Sequence, residues 1–244
     1  MADWNDPQST RTQFGGGPVL NGQVLGADAR DQGLRRHMLS IYNYMASGVL
    51  LSGIVAMLFA RSGMAAQMMT TPLGWVIQLA PLAMIFFFNP NRSESTLKAM
   101  FWTFAVLFGL SLSLIFRIYT GGSIAVAFFA TAASFAGLSL VGYTTKRNLS
   151  PVGSFMTMGL IGVIVASVLN YWLQSPGLYW ATSILGVVIF AGLTAYHTQR
   201  AKDNYADVAG TNMAGKVIVI DALSLYLDFI NMFLYLLRFL GDRR

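Results

Sequence analysis

The stretch ALSLYLDFINMFLYLLRFLG, at Ala222–Gly241, decides the fold of this chain. It is apolar over the roughly 20 residues that a helix needs to cross a lipid bilayer, except at a few positions that include Asp228. An aspartate at the centre of such a helix costs roughly 2.5 to 3.5 kcal/mol on insertion scales, so it must find a partner, a proton, an ion or water. The stretch therefore predicts a membrane-spanning helix with a functional carboxylate inside it.

The rest of the chain has the same character. Of its 244 residues, 55% are hydrophobic and 11% are charged, whereas soluble proteins carry about 25% charged residues. The absence of cysteine excludes disulfides and thiolate metal sites. We attribute the net charge of +6 to loops beside a membrane, because Lys and Arg collect there. We therefore expect a lipid bilayer around the protein and no nucleic-acid partner.

Seven apolar segments can be drawn along residues 37–244, and they predict an all-α membrane protein with seven transmembrane helices. A β-barrel is not expected, because the segments lack the alternation of barrel strands. Residues 1–36 are polar and Gly-rich, so we expect a disordered tail without a signal peptide. Gln199–Lys216 is expected to be a polar connection. The predicted helices are Met38–Ala60, Leu73–Phe88, Leu97–Tyr119, Ser123–Tyr143, Pro151–Leu173, Leu178–Thr198 and Val217–Leu240.

The basic residues predict the orientation of these helices. Seven crossings place eleven Lys and Arg residues on the side of the N-terminus and five on the other side. Because basic residues favour the cytoplasm, we expect a cytoplasmic N-terminus in the cell inner membrane. The basic C-terminus then lies outside, unless the last segment is re-entrant and returns it to the cytoplasm.

Four polar residues of the last helix form a seam. Asp221 and Asp228 are seven residues apart and lie on nearly the same face, with Ser224 and Asn231 on or near it. Such a seam turns toward other helices or a water-filled path. Asp221 could instead be solvated at the helix start, and Asp228 could make a purely structural hydrogen bond. We interpret Ser224 and Asn231 as pore-lining candidates.

The predicted sixth helix supplies a possible partner for this seam. His197 lies at its cytoplasmic end and could face Asp228 from the neighbouring helix, although an interfacial role for this histidine is the simpler reading. Phosphate-binding loops, metal-binding HExxH and nucleophile elbows are absent from the sequence. An intramembrane protease that uses His197 and Ser224 lacks a supporting sequence context. We therefore expect no enzyme activity and no tightly bound cofactor.

The last helix, together with Phe116–Ser154 (FRIYTGGSIAVAFFATAASFAGLSLVGYTTKRNLSPVGS) and Gly192–Arg200 (GLTAYHTQR), resembles the Bax inhibitor-1 family. That family comprises the transmembrane Bax inhibitor motif proteins and bacterial YccA-like proteins. The resemblance implies a seven-helix fold and a pH-sensitive calcium leak. It also implies a sensor of two aspartates that share a proton, one on each of the last two long helices. Asp228 matches the second aspartate, whereas His197 occupies the place of the first.

This histidine changes the chemistry that the resemblance implies. Two close carboxylates cannot both ionise cheaply, whereas a protonated histidine and a carboxylate stabilise each other. Ca²⁺ prefers hard oxygen ligands, which an imidazole does not provide. We therefore expect a weaker calcium affinity and an altered pH response, with Asp228 and Asp221 as the calcium ligands and Asp228, His197 and Asp221 as the gate.

Two functional hypotheses follow from the sequence, and a transporter is a third alternative, for which inverted repeats would be the support, although the sequence shows no clear internal repeat. The first is a passive leak for Ca²⁺ or protons that is gated at Asp228. The second is a non-conducting regulator that binds a membrane protein, since YccA-like relatives are associated with a membrane AAA protease. The tail of the chain would then be the segment that the partner binds.

Overall fold

The computed structural model describes residues 19–20, 23–24, 27–64 and 71–242 of the chain. These residues are almost entirely helical, which confirms the all-α prediction. Two short antiparallel strands, β1 (Val19–Leu20) and β2 (Gln23–Val24), precede the helices. The helices are α1 (Ala27–Arg61), α2 (Pro72–Ile85), α3 (Glu94–Leu112), α4 (Ile115–Ile118), α5 (Gly121–Thr144), α6 (Ser150–Leu173), α7 (Pro176–Val208) and α8 (Ala214–Leu240).

Six stretches in the described part of the chain are long and apolar enough to cross a membrane, and α2 is a shorter apolar helix. The sequence predicted a second span as far as Phe88, but α2 ends at Ile85 after 14 residues. Proline at the first helical position suits the start of this helix. The Asn89-Pro90 pair beyond its end prevents the helix from continuing, because proline disfavours helix in the residue before it.

The chain nevertheless crosses the bundle between α1 and α3. The Tyr44 and Phe101 rings lie 6.0 Å apart, and Ser52 Oγ donates to the Ala105 carbonyl at 2.7 Å. Residue numbers therefore rise together along α1 and α3, so these two helices are parallel. The segment that joins them must therefore return from one end of the bundle to the other, and α2 lies in that segment. The seven-helix prediction is therefore confirmed, with six long apolar helical segments and the shorter α2 as the seventh.

The last helix runs in the same direction as α1 and α3. The rings of Phe104 and Tyr226 are 5.7 Å apart, and the Thr120 amide donates to the Asp242 carbonyl at 3.3 Å. Numbers therefore also rise together along α3 and α8. Because α8 is one continuous helix of 27 residues, the start of α1 and the end of α8 lie at opposite ends of the bundle. The re-entrant alternative for the last segment does not describe this helix.

Helix α8 is the central helix of the bundle. In its most apolar stretch 61% of the residues are buried, against 11% in α6. It packs against α1, α3, α5 and α7, so nearly all of its faces meet other helices. Close packing is visible where Gly186 of α7 meets the Tyr235 ring directly, since a methyl group on that glycine would overlap the ring. The use of small residues at such contacts is typical of helices in lipid.

Three other predicted boundaries are wrong. Helix α7 continues ten residues beyond the predicted end at Thr198, so most of the expected polar connection is helical. The third predicted span is interrupted after Leu112 and resumes as the short α4. Helix α1 begins at Ala27, inside the segment predicted as a tail. The rest of that predicted tail lies largely outside the described residues.

Candidate functional site

The centre of the bundle contains a direct contact between α7 and α8. His197 Nδ1 lies 2.7 Å from Asp228 Oδ2. Asp228 is the fifteenth of the 27 residues of α8, and its side chain is 2% exposed, against 20% for His197. The histidine is deeper than its predicted position at a helix end, because α7 continues for about three turns beyond it. The structure thus brings together the two residues that the sequence singled out on these helices.

A second polar contact joins the same two helices. The Asn204 side-chain amide nitrogen lies 3.1 Å from each carboxylate oxygen of Asp221. Asp221 is 5% exposed, so it is buried and not solvated at the helix start. The second acid of the seam is therefore also held by α7.

The two contacts repeat with the same spacing on antiparallel helices. His197 and Asn204 are seven residues apart on α7, as are Asp228 and Asp221 on α8. Seven residues are two helical turns, or about 10.5 Å of rise. The α7–α8 interface therefore carries two polar rungs, which we call the His197–Asp228 rung and the Asn204–Asp221 rung.

The His197–Asp228 rung can exist in several protonation states. An imidazole that carries its proton on Nδ1 donates to an ionised Asp228, and a protonated Asp228 donates to a bare Nδ1. Histidine is the side chain whose charge ordinarily changes near neutral pH. When the imidazole is charged and the carboxylate is ionised, the contact is a charge-assisted hydrogen bond, which is roughly twice as strong as a neutral one. The 2.7 Å contact is compatible with each of these arrangements of protons.

The other members of the seam do not join this rung. Ser224 donates to the Ile220 carbonyl at 3.2 Å, and Asn231 donates to the Leu227 carbonyl at 2.8 Å, both within α8. Asn231 also lines a cavity of about 310 Å³ with Tyr119 and Arg238, toward the C-terminal end of α8. The pore-lining role of Ser224 and Asn231 stays a prediction.

The two acids do not converge on one ion. Asp221 and Asp228 are about 10.5 Å apart along the helix axis, and each already contacts a different residue of α7. A bound Ca²⁺ takes six to eight oxygens at about 2.3 to 2.6 Å. Within the described residues, no group of three or more His, Cys, Asp or Glu side chains could hold a metal ion. In this arrangement, a shared calcium cage of Asp221 and Asp228 does not form.

The sequence reading missed Asn204 because it placed this residue in a loop. The signal was present in the seven-residue spacing, since His197 and Asn204 repeat the interval between the two acids. The sequence analysis also did not predict a polar contact on the opposite side of α8. There the Tyr226 hydroxyl lies 2.7 Å from Ser52 Oγ, and Tyr226 is fully buried against Phe101 and Phe104.

Known proteins are similar in sequence to this chain over most of its length. The family model described as "Inhibitor of apoptosis-promoting Bax1" matches residues 34–244. Protein RP147 of Rickettsia prowazekii is 46% identical over 218 residues, covering 88% of this chain and 92% of its own length. The inner membrane protein YbhL of Escherichia coli is 42% identical over 219 residues, covering 87% of this chain and 94% of its own length.

The family-model match over residues 34–244 includes most of α1, all of α2 to α8 and the positions of both polar rungs in this chain. A protein of Caulobacter vibrioides is also 43% identical, over 229 residues, and covers 88% of this chain. The helix lengths, the apolar surface and the similarity to YbhL agree on a polytopic membrane protein. This chain is therefore a multi-pass membrane protein of the Bax inhibitor-1 family.

Proposed function

We propose that this protein is a pH-responsive calcium leak of the inner membrane, and that the His197–Asp228 rung is its gate. The inner-membrane location follows the relative YbhL, whose name states it. Ca²⁺ is the transported ion in this proposal and not a resident cofactor. The single observation that carries the proposal is the 2.7 Å contact between His197 and Asp228 at the middle of the central helix.

A carboxylate at that depth is expensive unless it has a function or a partner. Among the residues that the structure describes, its hydrogen-bond partner is His197 of α7, so a relative movement of α7 and α8 would expose Asp228 Oδ2. The Asn204–Asp221 rung lies on the same interface, two turns away. Separation of the two helices would free two carboxylates in succession along α8, which suits a permeating divalent cation better than a permanent binding site.

The charge states of the rung give the direction of the pH response. A lower pH favours the charged form of an imidazole, and a charged imidazole attracts the Asp228 carboxylate. The closed arrangement is then stabilised, so we expect the leak to decrease as the pH falls. Replacement of His197 by aspartate creates two carboxylates that repel each other when both are ionised. We expect His197→Asp to leak faster at pH 8 and to respond more steeply to pH.

The experiment is calcium entry into proteoliposomes between pH 6 and 8, followed with an enclosed indicator. We expect wild type to conduct, Asp228→Asn to lose its pH dependence, and His197→Asp to leak faster than wild type at pH 8 with a steeper pH response. Asp203→Asn is the matched control, because Asp203 is an exposed acid on α7 outside both rungs. If His197→Asp and wild type conduct alike with the same midpoint, position 197 is not part of the gate.

Calcium entry no faster than in protein-free liposomes at every pH would overturn the leak itself. That outcome would favour the second function, a regulator that binds a membrane protease or another membrane protein. Deletion of residues 2–30 separates the two functions, because a leak should survive the deletion and a partner-binding role of the tail should not.

A further inference from the structure

A groove runs along the lipid-facing side of the bundle between α1 and α5. Its floor is formed by α8 through Phe229. Three cavities follow one another along this groove, of about 620, 460 and 260 Å³. Met45 and Ala46 line both the first and the second cavity, and Val49 and Gly53 line both the second and the third. The cavities are therefore parts of one continuous groove.

The length of the groove matches a membrane. On α1 it extends from Arg35 to Met57, which are 22 residues apart and therefore about 33 Å along the helix. The hydrocarbon core of a bilayer is about 30 Å thick. A molecule that fills the groove thus lies parallel to the acyl chains of the surrounding lipid.

The chemistry of the groove is different at its two ends. The middle and the far end are lined almost entirely by apolar side chains such as Val49, Ile54 and Phe128. The end near the start of α1 carries the guanidinium of Arg35 and the phenols of Tyr42 and Tyr143. Basic residues at the edge of a groove between helices recognise lipid phosphates, and tyrosines are enriched at the level of the headgroups.

We propose that this groove binds one anionic phospholipid, with an acyl chain along α1 and α5 and the phosphate at Arg35. A second copy of the protein fits the groove less well. Helices that pack closely in lipid need small residues at the contact. The margins of this groove instead carry large exposed side chains: Leu50 is 65% exposed, Phe129 70% and Leu140 63%. A flexible acyl chain packs between such side chains more readily than a rigid helix.

The bound lipid would touch the central helix beside the gate residue. Phe229 lies on the floor of the groove and directly follows Asp228 in α8. Lipid binding itself rests only on the groove and its charge, so it does not depend on the proposed leak.

The test measures the lipids retained by the purified full-length protein. The protein in mild detergent is mixed with equal amounts of phosphatidylglycerol and phosphatidylcholine that have the same acyl chains, and native mass spectrometry counts the bound lipids. We expect wild type to retain one phosphatidylglycerol, with a preference of about fivefold over phosphatidylcholine from one basic residue. Arg35→Gln should remove the preference, whereas Arg36→Gln, at an exposed neighbour outside the groove lining, should keep it.

A second variant fills the groove without disturbing the fold. A side chain added at Gly53 meets no atom within 4 Å, and Gly53 lines the groove, so Gly53→Leu should abolish lipid retention. Gly162 of α6 is equally open and lies outside the groove lining, so Gly162→Leu is the matched control.

Three results would overturn the proposal. One is equal retention of the two lipids by wild type. Another is unchanged lipid retention in Gly53→Leu. The third is a change of oligomeric state in Gly53→Leu with lipid retention intact, which would assign the groove to a second copy of the chain.

Discussion

At the scale of single residues, Ser52 and Tyr226 show how a buried polar contact is shared between three helices. Ser52 Oγ lies 2.7 Å from the Ala105 carbonyl and 3.0 Å from the Gly48 carbonyl. Serine has one hydroxyl proton and needs it for these acceptors, so the Tyr226 hydroxyl donates to Ser52 Oγ. The contact ties α8 to α1 and α3 on the side opposite the polar rungs.

This assignment predicts unequal costs for two conservative variants. Ser52→Ala leaves the buried Tyr226 hydroxyl without an acceptor, which costs about 1 to 3 kcal/mol. Tyr226→Phe leaves Ser52 bonded to its carbonyls, so it should cost less, near the average of about 0.6 kcal/mol for interhelical hydrogen bonds in membranes. Thermal unfolding of the purified protein in detergent measures both. A larger loss for Tyr226→Phe would reverse the donor assignment.

The Asn204–Asp221 rung gives a second prediction at this scale. Asn204→Leu removes both hydrogen bonds to a buried carboxylate, and we expect it to lower the free energy of unfolding by about 1 to 3 kcal/mol. The double variant Asn204→Leu/Asp221→Leu should recover most of that loss, because replacing both polar partners by apolar groups can be nearly neutral. Reversible unfolding in mixed detergent tests this. Additive losses in the double variant would show that Asp221 is not stabilised by Asn204.

At the scale of helices, the C-terminal half of α7 holds the connection between α5 and α6. The Gln199 side chain donates to the Arg147 carbonyl and accepts from the Leu149 amide, each at 2.8 Å. Lys202 Nζ donates to the Tyr143 carbonyl at 2.8 Å and so caps the end of α5. The end of α7 therefore serves as a support for a neighbouring loop as well as for the two rungs.

Removal of this support should expose the loop to protease. Lys146 and Arg147 are exposed and form a trypsin site within the connection. Because Gln199→Leu loses both hydrogen bonds, we expect limited trypsin digestion to cut at this site several-fold faster, as local opening becomes easier. The rate of cleavage after Arg92 serves as an internal control and should not change. Equal rates at the α5–α6 connection in both proteins would contradict the role of Gln199.

The helices that sequence reasoning predicted best are those with clear end signals. The predicted start of α6 at Pro151 is one residue from the observed Ser150, because proline suits the first turn. The end of α7 was not predictable from hydropathy, since Lys202 and Asn204 are polar but compatible with helix. That single error hid the Asn204–Asp221 rung, whereas the approach of His197 to Asp228 depended only on consecutive helices lying side by side.

At the scale of the whole molecule, the direction of each helix determines where the loops lie. Helices α1, α3 and α8 are parallel, and α7 runs against α8, as the two rungs show. The starts of α1 and α3 therefore share one end of the bundle with the α7–α8 connection. The ends of α1 and α8 share the other end. In this arrangement the chain crosses the bundle once between α1 and α3, and α2 lies in that crossing. The 14 residues of α2 are about 21 Å long, which is shorter than the crossing.

Cysteine labelling tests this arrangement directly, because the natural chain has no cysteine. We expect Asp31→Cys and Asn91→Cys to behave alike, and Ser62→Cys and Asp242→Cys to behave alike, since these exposed positions mark the two ends. With the basic end in the cytoplasm, a membrane-impermeant maleimide added to spheroplasts should label only the second pair. Permeabilisation of the membrane is the control and should make all four react.

The two informative positions are Asn91 and Asp242. Labelling of Asn91→Cys together with Ser62→Cys would mean that the chain around α2 does not cross the membrane, which the parallel packing of α1 on α3 forbids. Protection of Asp242→Cys would mean that α8 returns to its starting side, although it is a continuous helix of 27 residues, or about 40 Å. If the first pair is labelled instead of the second, the helix arrangement is correct and its orientation in the membrane is inverted. Which positions react together tests the fold, whereas which pair reacts shows the side of the membrane on which that pair lies.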